Sequence, residues 1–332
     1  MINLLLIASI FIWPFGQLLQ LTPLGTSLHL QLLDLIAALL FLSLFVYHRK
    51  KIIQDSLFKP LVIFCLVALL SRGNSIYLLR FISYTAFYFA FRIEDVKKYY
   101  PYLVISAAIF LSIGFLQYFL LPDTRFLTYL GFDDHYFRLI GSLLDPNFTG
   151  LVLVIFTLLA PKLFFLFPLL ALALTFSRAS FLSLGVSLIY LAVVKKQFRL
   201  LLLILILGIA LYFAPKPFGE GVNLFRTFSI FSRLENQSQA LAIFAQNPIL
   251  GVGFGPRKID NSFIFVLATT GTVGFTIFLS FLKKAWQLTA DPLAKAAFLA
   301  ILVHSLFNNS FFYPPILVLF FLLLNFRPSR SV

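Results

Sequence analysis

The residues in this chain best suited to chemistry are arginines, and they recur where polar intervals interrupt apolar runs: Arg138, Arg178, Arg226, Arg233 and Arg257, with Arg80 just inside a run. A guanidinium offers a planar fork of donors that matches phosphate and carboxylate. Gathered on one side of a membrane, such residues point to an anionic, phosphorylated ligand; singly, each also fits an interfacial anchor reaching to headgroups. Carboxylates are scarcer. Asp260 is the sole one between Glu235 and Asp291, and with Asn261 it abuts an apolar run, where either residue could instead cap a helix. His304 is a further ionisable candidate within an apolar run, with a hydrogen-bonded core histidine as the alternative.

Four motifs carry these residues. Arg138-Leu-Ile-Gly141 leads to Asp145-Pro146-Asn147, where Asn147 is the expected N-cap of a helix from Phe148. In Thr175-Phe176-Ser177-Arg178 one apolar run ends and the next begins almost without a loop. Ser177 can cap the second helix, so Arg178 would sit beside a helix N-terminus, a favourable place for an anion. Ser232-Arg233-Leu234-Glu235 has the form of a capping box and predicts a surface helix over about 233–246, ended by Asn247-Pro248. The last motif, Asn247-Pro-Ile-Leu-Gly251-Val-Gly253-Phe-Gly255, precedes Asp260-Asn261 and Gly271-Thr-Val-Gly274. Its glycines allow tight turning and close backbone approach, but it lacks the strand and helix that flank a phosphate loop.

The elements that must position these motifs are apolar helices. The chain is 61% hydrophobic and 11% charged, with a mean hydropathy of +0.98. Its runs are longer than the alternating segments of a β-barrel. We expect an all-α polytopic bundle, a single integral membrane domain over 1–332, with about twelve spans: 4–21, 28–47, 58–71, 75–91, 99–121, 148–160, 163–176, 179–194, 198–214, 263–282, 294–308 and 315–326. The opening run has no basic flank or small-residue cleavage site and reads as a retained span. Cys65 stands alone in an apolar run, which excludes a cysteine-based metal site.

Alternate connections carry His48-Arg49-Lys50-Lys51, Arg92 with Lys97-Lys98, Lys162, Lys195-Lys196 with Arg199, Lys283-Lys284, and Arg327 with Arg330. The positive-inside rule places these, and both termini, in the cytoplasm, which leaves outer loops over 122–147 and 215–262. Lysine dominates the inner side. Arg72, Arg80, Arg125, Arg138, Arg178, Arg226, Arg233 and Arg257 fall on the outer one. The net charge of +14 therefore reflects topology and does not imply nucleic-acid binding.

In order and spacing, the Arg-x-x-Gly…Asp-Pro-Asn, Phe-Ser-Arg, Ser-Arg, Asn-Pro-Ile-Leu-Gly-Val-Gly-Phe-Gly, Asp-Asn-x-Phe and His-Ser-Leu-Phe motifs together resemble the O-antigen ligase/polymerase superfamily over roughly residues 75–320. The resemblance implies a GT-C type glycosyltransferase of the bacterial cytoplasmic membrane, with its active site on the outer face. It would take a glycan from an undecaprenyl-diphosphate-linked donor to a glycan or glycolipid acceptor, with neither nucleotide sugar nor metal cofactor. Ligases deliver to lipid A-core, and polymerases to another lipid-linked repeat unit. By the same resemblance Arg178 and Arg233 match the positions associated with the donor diphosphate, and Arg138 is a further candidate. Ligases carry His-Asn where this chain has Asp260-Asn261, a variant closer to the polymerase branch. Asp260 could accept a hydroxyl proton if burial raised its pKa. The alternatives are a transporter or flippase of lipid-linked glycans, or a non-catalytic member.

Overall fold

The computed structural model describes residues 1–21, 30–160, 164–213, 220–224 and 227–326, and all of these are helix or connection, with no strand among them. Each expected apolar run carries a helix: α1 (Ile2–Ile12, continued by a 3-10 stretch Trp13–Leu19), α2 (Leu32–Gln54), α3 (Phe58–Leu70), α4 (Ser75–Glu94), α5 (Tyr100–Leu120), α6 (Pro146–Leu159), α7 (Leu166–Thr175), α8 (Arg178–Val194) and α9 (Arg199–Phe213). After the surface helix α10 (Phe228–Gln246) come α11 (Ser262–Leu288), α12 (Pro292–His304) and α13 (Pro314–Leu323). Four stretches are long and apolar enough to cross a bilayer: Ile2–Leu19, Leu32–Gln54, Val96–Leu120 and Ser262–Leu288. Six further apolar helices are shorter, Pro146–Leu159 and Leu166–Thr175 among them.

Burial sorts the helices into layers. Every residue of α13 is buried, and α6 is buried along most of its length, whereas α5 is largely exposed. The middle of α4 is enclosed on all sides, with Tyr84, Ala86, Phe87, Tyr88 and Ala90 fully buried. A charge inside such a helix needs a partner. Arg80 finds one in Asp34 of the first turn of α2, with Nε to Oδ1 at 2.7 Å and Nη2 to Oδ2 at 2.8 Å. This bidentate pair clamps α4 to α2, and Asp34 also accepts from the Gln31 backbone N–H at 2.7 Å. Arg80 thus acts as a structural clamp between the two helices.

The glycine-rich segment serves the backbone of α11. At Gly271, φ is +67° and the helix breaks, which leaves carbonyls before the break and amides after it without intrahelical partners. Residues 248–253 supply them. Val252 and Gly253 donate to the Ala268 and Thr269 carbonyls at 3.0 and 3.1 Å, while Thr272 and Val273 donate to the Pro248 and Ile249 carbonyls at 2.8 and 3.3 Å. The approach is so close that a Cβ on Gly271 would lie 2.1 Å from the Ile249 oxygen. Phe254 then anchors the segment, fully buried in a ring cluster with Phe64, Phe81, Phe265 and Phe312. The segment is a structural splice, with the Gly251, Val252, Gly253 and Phe254 amides engaged.

Two expected caps are corrected. The surface helix begins at Phe228, not near Arg233, so Ser232 and Glu235 lie inside it and form no capping box. The apolar residues before Ser232 continue the helical spacing, and Phe228, Phe231, Leu234 and Leu241 are exposed along it. Asn147 does not cap α6. Asp145 does, accepting from the Asn147 and Phe148 amides at 2.6 and 3.0 Å, with Pro146 at the first helical position. Two expected caps hold: Ser177 accepts from the Ser180 amide at 3.4 Å, and Asn261 from Phe263 and Ile264 at 2.9 and 3.1 Å.

Gly271→Ala is expected to destabilise the protein by more than about 1 kcal/mol, from its positive φ and its clash with the spliced backbone. Gly185→Ala, in open space within α8, is expected to stabilise by about 0.5–1 kcal/mol. Thermal unfolding in detergent compares the two, and equal midpoints would contradict the splice.

Candidate functional site

The site grows from the N-terminal ends of α6, α8 and α11 and the C-terminal ends of α7 and α12, with α10 joined to them by hydrogen bonds. Arg178 occupies the first position of α8. Its Nη2 donates to the Ser229 hydroxyl at 2.6 Å and its Nη1 to the Leu224 carbonyl at 3.2 Å, which ties the α7–α8 turn to α10 and the segment before it. Ser177 donates to Asn147 Oδ1 at 3.0 Å, and Ser180 donates to the Asn147 carbonyl at 3.3 Å. The first turns of α6 and α8 therefore lie together, and Gly150 permits it: a Cβ there would be 2.4 Å from Ser180 Oγ. Their aligned peptide dipoles add positive potential on the side where Arg178 sits.

Arg233 enters from the second turn of α10. Its Nη2 donates to Asn308 Oδ1 at 3.4 Å, and behind Asn308 lies a buried chain: Asn308 Nδ2 to His304 Nε2 at 3.4 Å, and His304 Nδ1 to Ser310 Oγ at 2.6 Å. A guanidinium can only donate. Asn308 must therefore present its oxygen to Arg233 and its amide hydrogens to the imidazole. The imidazole also donates to the Asn147 carbonyl, so it links α12 to the first turn of α6. His304 is fully buried and lies behind Asn308, in the hydrogen-bonded core setting. Burial lowers the Arg233 pKa, and Asp260 counteracts that shift. A half-buried guanidinium facing a neutral acceptor is a place where an anion binds well.

Asp260 completes the polar face. Its backbone N–H donates to Asn236 Oδ1 at 2.9 Å, and the Asn236 amide donates to the Lys258 carbonyl at 2.7 Å, which fixes this end of the loop onto α10. Capping falls to Asn261, whose amide also donates to the Leu306 carbonyl at 2.9 Å, leaving the Asp260 carboxylate out of the cap. Burial raises the Asp260 pKa, opposed chiefly by Arg233. The carboxylate is thus more basic than a solvated one, and it senses the guanidinium that in turn senses Arg178.

The remaining sequence candidates separate from this group. Arg138 is buried at 6% exposure and donates to the Thr175 and Phe176 carbonyls at 2.9 and 3.4 Å, so it closes the C-terminus of α7, where Phe176 takes a left-handed conformation (φ +49°). It braces the turn that presents Arg178. Arg257 is exposed and donates to the Val252 carbonyl at 3.3 Å. Arg226 lies outside the described residues. Sequence reasoning missed two participants, Asp145 and Asn308. Burial raises the Asp145 pKa, opposed by its two backbone hydrogen bonds and by Arg138. Asn308 was visible as the Asn308-Asn309 pair after His304-Ser-Leu-Phe, but nothing in spacing linked it to Arg233, 75 residues away.

The chain matches no protein-family model and no curated protein.

Asn308→Ala is expected to destabilise the protein by about 1–3 kcal/mol, because it removes a partner of the buried His304 imidazole. Thermal unfolding in detergent measures the loss. An unchanged midpoint would refute the supporting role given to Asn308.

Proposed function

We propose that this protein is a polytopic membrane glycosyltransferase with about twelve spans, acting on the outer face of the cytoplasmic membrane. It extends or transfers a glycan carried on an undecaprenyl-diphosphate lipid, with polymerisation favoured over ligation. The observation that carries the reading is that α10 gathers three separate parts of the chain: its Ser229 accepts from Arg178, its Asn236 accepts from the Asp260 backbone, and its Arg233, between those two positions, feels the charges of both Arg178 and Asp260. Two guanidiniums and the first turn of α8 suit a diphosphate, and a carboxylate of raised basicity suits a hydroxyl nucleophile.

The chemistry follows from those groups. The acceptor hydroxyl oxygen attacks the anomeric carbon of the donor sugar, and its proton passes to the Asp260 carboxylate. The bond from the anomeric carbon to the diphosphate oxygen breaks, and its electron pair remains on the diphosphate. Arg233 and Arg178 stabilise the charge that grows there. The Asn308–His304–Ser310 chain holds the Arg233 fork so that little reorganisation accompanies the step.

The break at Gly271 also favours a second reading, since discontinuous helices line the sites of transporters. Here the break is closed by residues 248–253, which suits a fixed scaffold better than a moving half-helix. Purified protein given lipid-linked repeat units separates the readings. Longer glycan chains support polymerisation, transfer to a glycolipid supports ligation, and translocation without bond formation supports transport. No product and no translocation would leave a non-catalytic role.

Arg233→Ala is expected to reduce turnover by about 10²–10³-fold with the protein still inserted, as for loss of a charge-stabilising donor. Unaltered glycan length and yield would refute its role. The pH profile gives an independent check. A base must be deprotonated, so kcat/KM should rise with pH through an apparent pKa above the ordinary carboxylate value of about 3.9. Because Arg233 favours the charged form of Asp260, Arg233→Gln should move that limb to higher pH in the residual activity. Asp260→Asn should remove it.

A further inference from the structure

At the end of the bundle opposite Arg233, α1, α5, α6, α7 and α13 enclose a cavity of about 540 Å³, walled by residues that include Trp13, Leu111, Phe115, Phe156, Phe167 and Leu319. Its size is that of a ligand site. Its chemistry excludes most ligands. Sites for water-soluble molecules hold a few fixed polar groups that orient the guest. Here the Trp13 indole N–H is engaged by the Pro315 carbonyl at 2.9 Å, and the Ser106 hydroxyl by the Ile10 carbonyl at 2.8 Å. A hydrocarbon chain asks for nothing more than the apolar wall.

The chain beside two wall residues carries the opposite chemistry. Phe91 and Tyr100 belong to the wall; Arg92 follows Phe91, and Lys97 and Lys98 precede Tyr100 by three and two residues. Lys97 and Lys98 are exposed; Lys98 lies 3.7 Å from Glu94, and Arg92 lies 3.8 Å from Asp55. An apolar slot beneath a basic rim matches a lipid with an anionic headgroup. Only 17% of the Val96–Leu120 stretch is buried within the protein, so α5 meets the surrounding bilayer over most of its surface and a chain can enter beside it.

We propose that this cavity binds one acyl chain of an anionic phospholipid, whose phosphate is held by Lys97 and Lys98. The lipid completes the packing of α5 against α7 and α13. The site is separate from the Arg178–Arg233–Asp260 group and does not depend on the glycosyltransferase reading.

Delipidated protein in detergent, titrated with phosphatidylglycerol or phosphatidylcholine of matched chains and followed by native mass spectrometry, tests the proposal. The glycerol lipid is expected to bind more tightly by about fivefold for each lysine engaged. Lys97→Gln with Lys98→Gln should bring it down to the choline lipid, and Ala107→Trp, which fills the cavity, should weaken both. A direct readout needs no cavity variant. In Trp286→Phe protein, Trp13 is the remaining tryptophan, and phosphatidylglycerol with brominated chains should quench it at lower mole fraction than the brominated choline lipid. Equal quenching by the two lipids, or none, would overturn the proposal. So would preferential retention of undecaprenyl phosphate unaffected by the lysine substitutions.

Discussion

A helix among apolar neighbours cannot leave peptide groups without partners, because each unsatisfied donor or acceptor there costs several kcal/mol. At Gly271 α11 breaks, and the arrangement of the candidate site follows from how that break is closed. Residues 248–253 donate to carbonyls on one side of the break and accept from amides on the other. That double engagement fixes the C-terminal part of the long polar interval against α11. Phe254 secures it further among the rings of α3, α4 and α11, and the Asn74 amide donates to the Phe254 carbonyl at 2.8 Å. A stretch that by composition should be a free loop is held at both faces.

With residues 248–255 fixed, the chain on either side has little choice of position. The N-terminal flank is α10, which brings Arg233 over the end of α12. The C-terminal flank is Lys258–Asn261, which the Asn236 side chain joins to α10 through both its oxygen and its nitrogen. Arg233 and Asp260 therefore face each other because two hydrogen bonds of one asparagine and one spliced backbone set their separation. The opposite wall is built similarly: Arg138 closes α7, Gly150 lets α6 approach α8, and Ser177 both caps α8 and reaches Asn147.

Local interactions were the legible part of this molecule. Apolar runs gave the helices, Ser177 and Asn261 were recognisable caps, and Arg178 could be placed at a helix start from four adjacent residues. Where two local signals competed, sequence alone chose wrongly. Asp145 and Asn147 both suit an N-cap, and Pro146 at the first helical position favours Asp145. Ser232 and Glu235 have capping-box spacing, but the four residues before them continue the helix. What could not be read were pairings set by tertiary contact: Arg80 with Asp34, 46 residues away, and the glycine segment with a helix not yet begun at that point in the chain. Such contacts depend on three-dimensional approach and leave no periodic trace.

The outer arginines, which composition treated as one set, divide by the charge of what they meet. Arg80 and Arg125 meet carboxylates, Asp34 and Asp123, and Arg125 holds the exposed Asp123 carboxyl down to about 2. Arg138 meets the carbonyls at the end of α7, where the helix dipole is negative and a cation is stabilising. In each case a structural acceptor already answers the positive charge. Arg178 and Arg233 are held by neutral oxygens instead, those of Ser229, Leu224 and Asn308, which orient a guanidinium without neutralising it. Two like charges that influence each other across a half-buried space raise the energy of the unliganded protein, and Asp260 offsets this only in part. A doubly charged anion between them would relieve the repulsion and the desolvation together. On these grounds the diphosphate reading rests on two arginines, while Arg80, Arg125 and Arg138 are engaged by structural acceptors.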